Sequence, residues 1–479
     1  MLIKSLVAAI ALLLSGAAER TPADAVGRLG EIIPKAMREA EVPGVSVALI
    51  RDGRVAWSRA FGVKNVETRA AMDEKTVFES ASLSKPVFAY AVMKLVDAGK
   101  LALDVPLVKY MPVPAVLGDE RAGRITARMV LDHTTGFQNE AIGKPLAIHF
   151  TPGTRFSYSG AGYAYLQTIV ERVTGEPLEA FMKKAVFGPL GMTSSSFVWQ
   201  DGYASRRATG YKMDGTAGRD RRPSEGKASS SLFTTAPDYA RFVLAAMNGT
   251  GLTKESARRM LETQVRVEES CFLCVDRKAS KLSPALSWGL GWGLERTEDG
   301  PAFWQWGDYN GEVQSFAIGI PRTKSGIVVL TNSGSGLSIV PAIVTAALRG
   351  DHPVFAWLPY EPYDSPGLLF YREILERGGP AIRRYRETRK TGNGVRLTET
   401  QMNDLGYRLL AKEKNEGALE IFKINAEDFP SSSNVHDSLG QGYLAVGDVD
   451  AAIKSYRKSL ELDPSNENAR NVLKQLKAE

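Results

Sequence analysis

The chain has 479 residues, of which 44% are hydrophobic and 24% are charged. This balance is typical of globular proteins and excludes a disordered, collagenous or predominantly membrane-embedded chain. The 60 Lys and Arg residues against 54 Asp and Glu residues leave a net charge of only +6. No basic stripe interleaved with aromatic residues accompanies that small excess, so we expect no nucleic-acid partner.

The first eighteen residues have the pattern of a secretory signal peptide. Lys4 supplies the positive charge, Ser5 to Leu14 is a mostly apolar run, and Ser15 to Ala18 are small residues suited to a signal-peptidase site. We therefore predict a cleaved signal peptide at 1–18 and export to the periplasm or the medium; an uncleaved anchor is the alternative. No later apolar stretch reaches the ~20 residues that a membrane helix needs, so we expect no span in the mature chain.

Residues 19–350 have the pattern of an α+β domain. Two β-rich runs flank Arg51 to Arg54, where Asp-Gly favours a hairpin turn, and a helical pattern follows from about Ser82 to Gly99. A second strand pair, Gln314 to Ile320 and Ile327 to Thr331, precedes the apolar helix Ile339 to Leu348. The sequence predicts an antiparallel sheet whose first and last strands are neighbours, combined with a helical region.

The remaining chain is predicted to be helical. Residues 351–398 are interpreted as a linker with a helical segment at Leu368 to Arg389, and residues 399–479 as an all-α domain. Five pairs of similar residues recur there at a spacing of 34: Leu405 and Leu439, Gly406 and Gly440, Ala418 and Ala452, Phe422 and Tyr456, Pro430 and Pro464. This period resembles tetratricopeptide repeats, in which a small residue lets two helices approach and an aromatic residue fills the gap. The segment is a candidate for binding a protein partner, although structural support is an equally good interpretation.

Cysteine and histidine usage limits the possible chemistry. The only two cysteines, Cys271 and Cys274, form a C-x-x-C that is either a local disulfide, a redox pair or two idle thiols. None of the four histidines has a metal-binding spacing, and neither a phosphate-binding loop nor a G-x-S-x-G elbow occurs. We therefore predict neither a metal nor a cofactor.

The strongest catalytic candidate is Ser82-Leu83-Ser84-Lys85. A serine hydroxyl needs a base within hydrogen-bond reach, and a lysine three residues later shares its helix face. Burial and the helix N-terminus both favour the neutral amine, so we expect the pKa of Lys85 to be lowered. The same S-x-x-K spacing also occurs at Ser224 and at Ser455, but there it lies in a loop and in a repeat helix.

The segment Phe78 to Lys85 resembles the first conserved box of serine hydrolases related to class C β-lactamases, penicillin-binding peptidases and the esterases that share their fold. Further segments resemble the same family in the same order; they are 103–107, 133–136, 152–159, 188–192 and 331–333. The resemblance implies that Ser82 is the acylated nucleophile, that Lys85 is its base or proton shuttle, and that Tyr158 moves protons to the leaving group and from water. In the same pattern His133 is structural.

Two departures from the family pattern matter for the substrate. The second box normally ends in Asn, whereas Gly160 follows Tyr158-Ser159 here; the third box, normally Lys or His, a small residue and Gly, falls on Trp306-Gly307-Asp308. Both changes in the third box weaken anion binding if those side chains face the cleft. Tyr309 then matches the residue whose backbone N–H completes the oxyanion hole. A literal Lys390-Thr391-Gly392 lacks a strand pattern and is interpreted as a coincidence.

The sequence therefore predicts an exported serine hydrolase that forms an acyl-enzyme with ester or amide substrates, neutral or cationic in preference to carboxylate-bearing ones. Four tryptophans, Trp288, Trp292, Trp304 and Trp306, are candidates for an aromatic wall beside an apolar acyl group. Two alternatives stay open: a true β-lactamase or D-alanyl-D-alanine carboxypeptidase, and a catalytically inactive scaffold with a partner-binding repeat region.

Overall fold

The structure is a computed structural model that describes residues 22–112, 118–139, 145–269, 271–275, 281–392 and 394–477. The signal peptide predicted at 1–18 lies outside these residues. Within them, an antiparallel sheet flanked by helices is followed by a part that is helical throughout. The predicted fold class is therefore confirmed.

The large sheet contains nine strands in the described part of the chain, in the order β3-β2-β1-β11-β10-β9-β8-β7-β6, and β4 pairs with β5 separately. The first long strand pairs with the last, since Val45 lies opposite Thr331. This neighbour relationship is the one that the sequence predicted. The strands are β1 Gly44–Arg51, β2 Arg54–Asn65, β3 Ala70–Ala71, β4 Phe78–Glu79, β5 Phe233–Thr234, β6 Val265–Glu268, β7 Leu282–Trp288, β8 Gly293–Thr297, β9 Gly300–Tyr309, β10 Val313–Ile320 and β11 Ser325–Thr331.

Helices cover both faces of this sheet. The preceding and intervening helices are α1 Pro22–Glu39, α2 Ser84–Asp97, α3 Ala127–Leu131, α4 Gly160–Thr174, α5 Leu178–Met182, α6 Ala236–Asn248, α7 Lys254–Met260 and α8 Gly336–Ala347. One face packs against α6 and the α2 region through side chains such as Ala317 and Val328. The opposite face packs against α1 and α8 through Phe316 and Val329. Because β1, β10 and β11 are apolar on both faces, these central strands are buried throughout or nearly so.

The chain after residue 350 forms further helices. They are α9 Val354–Trp357, α10 Pro366–Arg377, α11 Gly379–Thr391, α12 Glu399–Ala411, α13 Asn415–Asp428, α14 Ser433–Ala445, α15 Val449–Leu462 and α16 Glu467–Gln475. We call α10–α16 the helical module. A Cβ atom on Gly406 would lie 2.3 Å from the Phe422 ring, and one on Gly440 would lie 2.8 Å from the Tyr456 ring. The same close approach of helices therefore recurs 34 residues apart, which is consistent with the predicted repeat.

The segment that the sequence suggested as a linker is packed against the sheet part of the protein. Trp357 donates its indole N–H to the Glu268 carbonyl over 2.8 Å, and its ring contacts those of Trp304 and Trp306. The Tyr363 N–H donates to the Ser338 carbonyl over 3.0 Å. These contacts fix the start of the helical module relative to α8 and the sheet.

Candidate active site

The Ser82 hydroxyl lies in a tight turn that leads into α2. Residues Ala81–Leu83 form one turn of 3-10 helix, and Ser82 is only partly buried. Ala81 has a φ of 45°, in the left-handed region that a residue with a side chain rarely adopts. The Ser84 hydroxyl donates to the Ala81 carbonyl over 2.6 Å and accepts from Leu232 N–H at 3.0 Å. Both bonds hold this strained turn, a form of strain that is common at functional sites.

Lys85 lies beside Ser82, as its spacing predicts. The residue is 3% exposed, and its Nζ donates to Ser82 Oγ over 2.9 Å. It also donates to the carbonyl oxygen of Ser229 over 2.8 Å. Sequence reasoning missed Ser229, because a backbone acceptor in a loop leaves no side-chain signal. The ammonium is thus directed at Ser82 by a fixed carbonyl 144 residues away along the chain.

Tyr158 completes a compact group with these two residues. Lys85 Nζ lies 4.8 Å from the centre of the Tyr158 ring. Gln305 Nε2 donates to the Tyr158 hydroxyl over 2.9 Å. Burial raises the pKa of Tyr158 above its ordinary value, against the smaller opposing effect of the hydrogen bonds from Ser82 and Gln305. The phenol therefore stays protonated at neutral pH.

His133 packs against the ring of Tyr158. The two rings stack with centres 4.3 Å apart, and His133 Nδ1 accepts the Ser159 N–H over 3.0 Å. Burial, with the nearby charge of Lys85, places the pKa of His133 well below its ordinary value, so the imidazole is neutral. This is the structural position that the family pattern implies, although Nε2 is buried without a hydrogen-bond partner among the described residues.

Gly160 begins α4 where the family pattern has an asparagine. A Cβ atom on Gly160 would lie 2.8 Å from the Asn139 carbonyl oxygen, which is closer than real Cβ contacts. The Gly160 N–H donates to Asn139 Oδ1 over 2.9 Å, so Asn139 helps to cap this helix start. Ser229 Cβ is 3.7 Å from the same Cβ position. The space that an asparagine side chain would enter is thus occupied by Asn139 and by the loop that binds Lys85.

The side chains of β9 alternate between two faces, and this decides which of them reach Ser82. Gln305 Nε2 donates to the Ser82 carbonyl oxygen over 3.0 Å, and a Cβ on Gly307 would lie 2.4 Å from the Ser80 carbonyl. Trp306 and Asp308 therefore point to the opposite face. From the sequence we expected these two side chains to line the cleft. The position that we assigned to the third box is one residue away from the one that faces Ser82, and in a strand a shift of one residue moves a side chain to the opposite face.

Trp306 and Asp308 have structural partners on that opposite face. Trp306 is 4% exposed and reaches the site only through its ring, which lies 4.8 Å from that of Tyr158. Asp308 accepts hydrogen bonds from Gln314 Nε2 at 2.8 Å and from the Tyr360 hydroxyl at 3.0 Å. Neither side chain is available to attract or repel a substrate at Ser82.

The peptide groups of β9 alternate in the same way. The Tyr309 carbonyl accepts the Glu312 N–H over 3.0 Å, so the peptide groups of Tyr309 are directed toward β10. Because neighbouring peptide groups in a strand point to opposite edges, the Asp308 N–H points to the edge of β9 that faces away from β10. β8 pairs with this edge only as far as Trp304, so the edge is open at Asp308. The Ser82 turn lies against that open edge. Here too the geometry differs by one residue from the expectation, which named Tyr309.

The aromatic wall predicted from four tryptophans is core instead. Trp288, Trp292 and Trp304 are fully buried, and Trp306 is nearly so. Trp292 packs with Phe242 and Phe303 on the α6 side of the sheet, whereas the other three pack together on the opposite side. The expectation is wrong because large apolar side chains serve a core as well as a cleft.

The C-x-x-C motif forms a disulfide whose loop contacts the segment that carries Tyr158. Cys271 and Cys274 are bonded, and between them the Phe272 carbonyl accepts the Tyr158 N–H over 2.8 Å. The Cys274 N–H donates to Ser157 Oγ over 2.9 Å. The bridged loop therefore holds the Tyr158 backbone N–H and the Ser157 side chain.

Other sequence features lie elsewhere. Lys390 and Thr391 end α11, and Gly392 caps it with a left-handed φ of 74°. No grouping of three metal-ligating side chains is found in the described ranges. A helix both long and apolar enough to cross a membrane is likewise not found there.

A mixed α+β fold with a serine, a lysine and a tyrosine converging at the start of a buried helix defines a serine hydrolase of the β-lactamase type. The model of the Beta-lactamase family matches residues 29–348, and the chain belongs to this family. The chain is 28% identical to Penicillin-binding protein 4 of Amycolatopsis lactamdurans over 63% of its length and 83% of that protein's. It is 32% identical to Esterase EstB of Burkholderia gladioli over 37% of its length and 52% of that protein's.

Among solved structures, the octameric penicillin-binding protein homologue from Pyrococcus abyssi superimposes with a TM-score of 0.57 at 25% identity. The match covers 73% of this chain and 81% of that one. These relatives include both an esterase and a penicillin-binding protein, so the family alone does not select a substrate.

Proposed function

We propose that the protein is an exported serine hydrolase that forms an acyl-enzyme at Ser82 with esters or amides that carry no carboxylate next to the scissile bond. The observation that carries this proposal is the contact of 2.9 Å between Lys85 Nζ and Ser82 Oγ at an accessible turn. A lysine amine in hydrogen-bond contact with a serine hydroxyl can, in its neutral form, act as the general base that a serine nucleophile requires.

Acylation begins when Ser82 Oγ attacks the substrate carbonyl carbon. The hydroxyl proton passes to the neutral form of Lys85, and the carbonyl oxygen becomes an oxyanion. The Ser82 N–H, in the first helical turn, and the outward-pointing Asp308 N–H are the two donors that we assign to this oxyanion. We assign the second position to the backbone of Asp308 instead of Tyr309 because of the β9 register.

Collapse of this intermediate breaks the bond to the leaving group, which must gain a proton. Tyr158 is the donor that we propose, because its raised pKa keeps it a phenol and Gln305 Nε2 bonds both its hydroxyl and the Ser82 carbonyl oxygen. The ammonium of Lys85 then returns a proton to Tyr158, so the charge balance is restored. In deacylation a water molecule attacks the acyl carbon. The proton that the water loses passes through Tyr158 and Lys85 to Ser82 Oγ, so that Ser82 leaves the acyl group with its hydroxyl restored.

The substrate class follows from Gln305. Its amide occupies the place beside Tyr158 and Ser82 at which the family pattern has a cation, and an amide carries no charge with which to bind a carboxylate. Arg221, which stacks on Tyr309 with 4.0 Å between its guanidinium carbon and the ring centre, is already bonded to Glu79 and Glu312. This supports neutral esters and amides and disfavours penicillins and D-alanyl-D-alanine peptides.

Export is proposed on separate grounds. Residues 1–18 have the signal-peptide pattern, and the Cys271–Cys274 disulfide suits an oxidising compartment. We propose the periplasm or the medium as the place of action. The helical module remains a candidate for binding a protein or peptide partner.

Active-site labelling tests the proposal directly. We expect a fluorophosphonate probe to label the wild-type protein and not Ser82→Ala, and a fluorescent penicillin to label the wild type slowly or not at all. Hydrolysis of p-nitrophenyl butyrate should fall by about four orders of magnitude or more in Ser82→Ala. Ser224→Ala, at the matching S-x-x-K in a loop, is the control and should retain activity. An unlabelled wild-type protein would indicate an inactive scaffold, and rapid penicillin labelling would indicate a penicillin-recognising enzyme.

A further inference from the structure

A cavity of about 380 Å³ lies where the sheet part of the protein meets the helical module. Its walls include Met213 and the turn Asn310-Gly311 from the sheet part, and Tyr371, Asp404 and Arg408 from the module. A second cavity of about 560 Å³ shares Met213, Gly311, Asp404 and Arg408 with the first. Cavities of several hundred Å³ are of the size that binds small ligands.

Two ion pairs across this junction account for four of the charges around the cavity. Arg372 Nη2 lies 3.3 Å from a Glu39 carboxylate oxygen, and Lys412 Nζ lies 2.8 Å from one of Glu41. In each pair the cation comes from the helical module and the carboxylate from the end of α1 or just beyond it. These charges are therefore engaged in holding the two parts together.

Arg408 and Asp404 are not engaged in this way. Arg408 Nη2 lies 3.1 Å from the Met213 sulfur, and a thioether sulfur is a weak acceptor. The Nε of Arg408 is buried and has no hydrogen-bond partner among the described residues. Asp404 is accessible, and within the same described ranges its carboxylate makes no hydrogen bond or ion pair. Because the contact of Nη2 is with a weak thioether acceptor, the guanidinium can still donate to a ligand in the cavity.

The spacing of these two residues defines what fits. Four positions apart on α12, they are neighbours on one helix face, with Cβ atoms about 5–6 Å apart. A guanidinium binds a carboxylate through two parallel hydrogen bonds, and a carboxylate binds an ammonium group. Tyr371 and Met213 supply apolar surface beside them.

We propose that this cavity binds a small zwitterion, an α-amino acid or short peptide, with its carboxylate on Arg408 and its ammonium group on Asp404. The bound ligand would contact Asn310-Gly311, the turn that joins β9 to β10 directly after the Asp308 N–H assigned to the oxyanion. Binding itself is independent of acylation at Ser82.

Calorimetric titration of the full-length Ser82→Ala variant tests the proposal without turnover. The probes are leucine, leucyl-leucine, and leucyl-leucine with either its amino group acetylated or its carboxylate amidated. We expect leucine or leucyl-leucine to bind, and the comparison of the two gives the preferred length. Either capped form should bind at least about tenfold more weakly than uncapped leucyl-leucine. Equal binding of the capped and uncapped peptides, or no binding of any probe, would overturn the assignment.

Matched variants locate the site. Arg408→Met and Asp404→Asn, each combined with Ser82→Ala, should weaken binding at least about tenfold, whereas Arg470→Met on exposed α16 should not. If Arg408→Met does not fold, Asp404→Asn decides, since that side chain is accessible and unbonded. Unchanged affinity in a folded variant at either position would place the ligand elsewhere and reject the proposal.

Discussion

The side-chain amide of Gln305 joins the phenol of Tyr158 to the backbone of Ser82. Its Nε2 donates to the Tyr158 hydroxyl over 2.9 Å and to the Ser82 carbonyl oxygen over 3.0 Å, and the side chain is fully buried. Gln305 Oε1 is also buried and has no hydrogen-bond partner among the described residues. A neutral residue with one unused acceptor thus lies between Tyr158 and Ser82.

Replacing this amide with a cation should change the substrate preference. We predict that Gln305→Lys raises the second-order rate of acylation by benzylpenicillin by about 10- to 100-fold, because a charged hydrogen bond to a carboxylate contributes about 1.5–3 kcal/mol. The rate is measured by competition with a fluorescent penicillin. Gln305→Met is the matched control, since it keeps the length without the charge and should give no gain.

The same experiment distinguishes the two registers of β9. If Trp306 and Asp308 faced the cleft, Trp306→Lys would bring the gain in penicillin acylation and Gln305→Lys would not. The structure leads us to expect the opposite, because Trp306 lies on the face of β9 away from Ser82, where it packs with the rings of Tyr158, Trp304 and Trp357. Trp306→Lys should therefore mainly disturb this packing.

Tyr158 should act as a phenol throughout the physiological pH range. Its pKa is raised by burial, so the folded protein holds this proton above the pH at which an exposed tyrosine loses it. We predict that Tyr158→Phe lowers kcat for p-nitrophenyl butyrate by about 10²- to 10⁴-fold. The difference in absorbance at 295 nm between wild type and Tyr158→Phe should show no ionisation below pH 10. Ionisation of Tyr158 near neutral pH would contradict the donor role and indicate a phenolate base.

Part of this site could be predicted from sequence because two of its residues lie close together along the chain. Ser82 and Lys85 are separated by one helical turn, so their spacing alone places the two side chains together. The pairing of β1 with β11 follows from β-rich runs at the two ends of one domain. Gly406 and Gly440 likewise approach aromatic side chains, as their spacing of 34 residues predicts.

The other half depends on register and on backbone groups, which composition does not encode. A one-residue shift along β9 exchanges Gln305, which bonds Ser82 and Tyr158, for Trp306, which packs on the opposite face, and a count from neighbouring motifs is not accurate to one residue. The acceptors for Lys85 and Gly160 include the carbonyl groups of Ser229 and Asn139, which any residue type can supply. Such partners become visible only when the chain is folded.

Asp132 should make the stability of the protein dependent on pH. Burial raises the pKa of its carboxyl group from 3.8 to about 7, against the opposing hydrogen bonds from Thr134. Because the folded pKa is the higher one, the stabilising effect is complete below about pH 4 and is lost as pH rises toward 7. The loss approaches about 4 kcal/mol for a shift of about three pKa units.

Substitution by asparagine tests this dependence. Both hydrogen bonds from Thr134 end on Asp132 Oδ1, an acceptor that Asn retains. We expect the midpoint of thermal unfolding of Asp132→Asn to fall less between pH 5 and pH 8 than that of the wild type. Asp463→Asn, at an exposed helix end, is the control and should follow the wild type. Parallel curves for Asp132→Asn and the wild type would show that Asp132 is ionised in the folded protein at pH 5.

The Cys271–Cys274 disulfide should influence the reaction through Tyr158. The loop that it closes accepts the Tyr158 N–H at the Phe272 carbonyl and donates to Ser157 Oγ from Cys274. Opening this loop frees the backbone of the proposed proton donor, and small displacements of a reacting group cost up to about 100-fold in rate.

We predict that the double variant Cys271→Ser/Cys274→Ser has a lower kcat for p-nitrophenyl butyrate, with a smaller change in KM. Dithiothreitol should have the same effect on the wild type and no effect on the double variant. Because Tyr158 acts after Ser82 has attacked, single-turnover labelling by the fluorophosphonate should fall less than kcat. An unchanged kcat in the reduced wild type would show that the loop only contributes to stability.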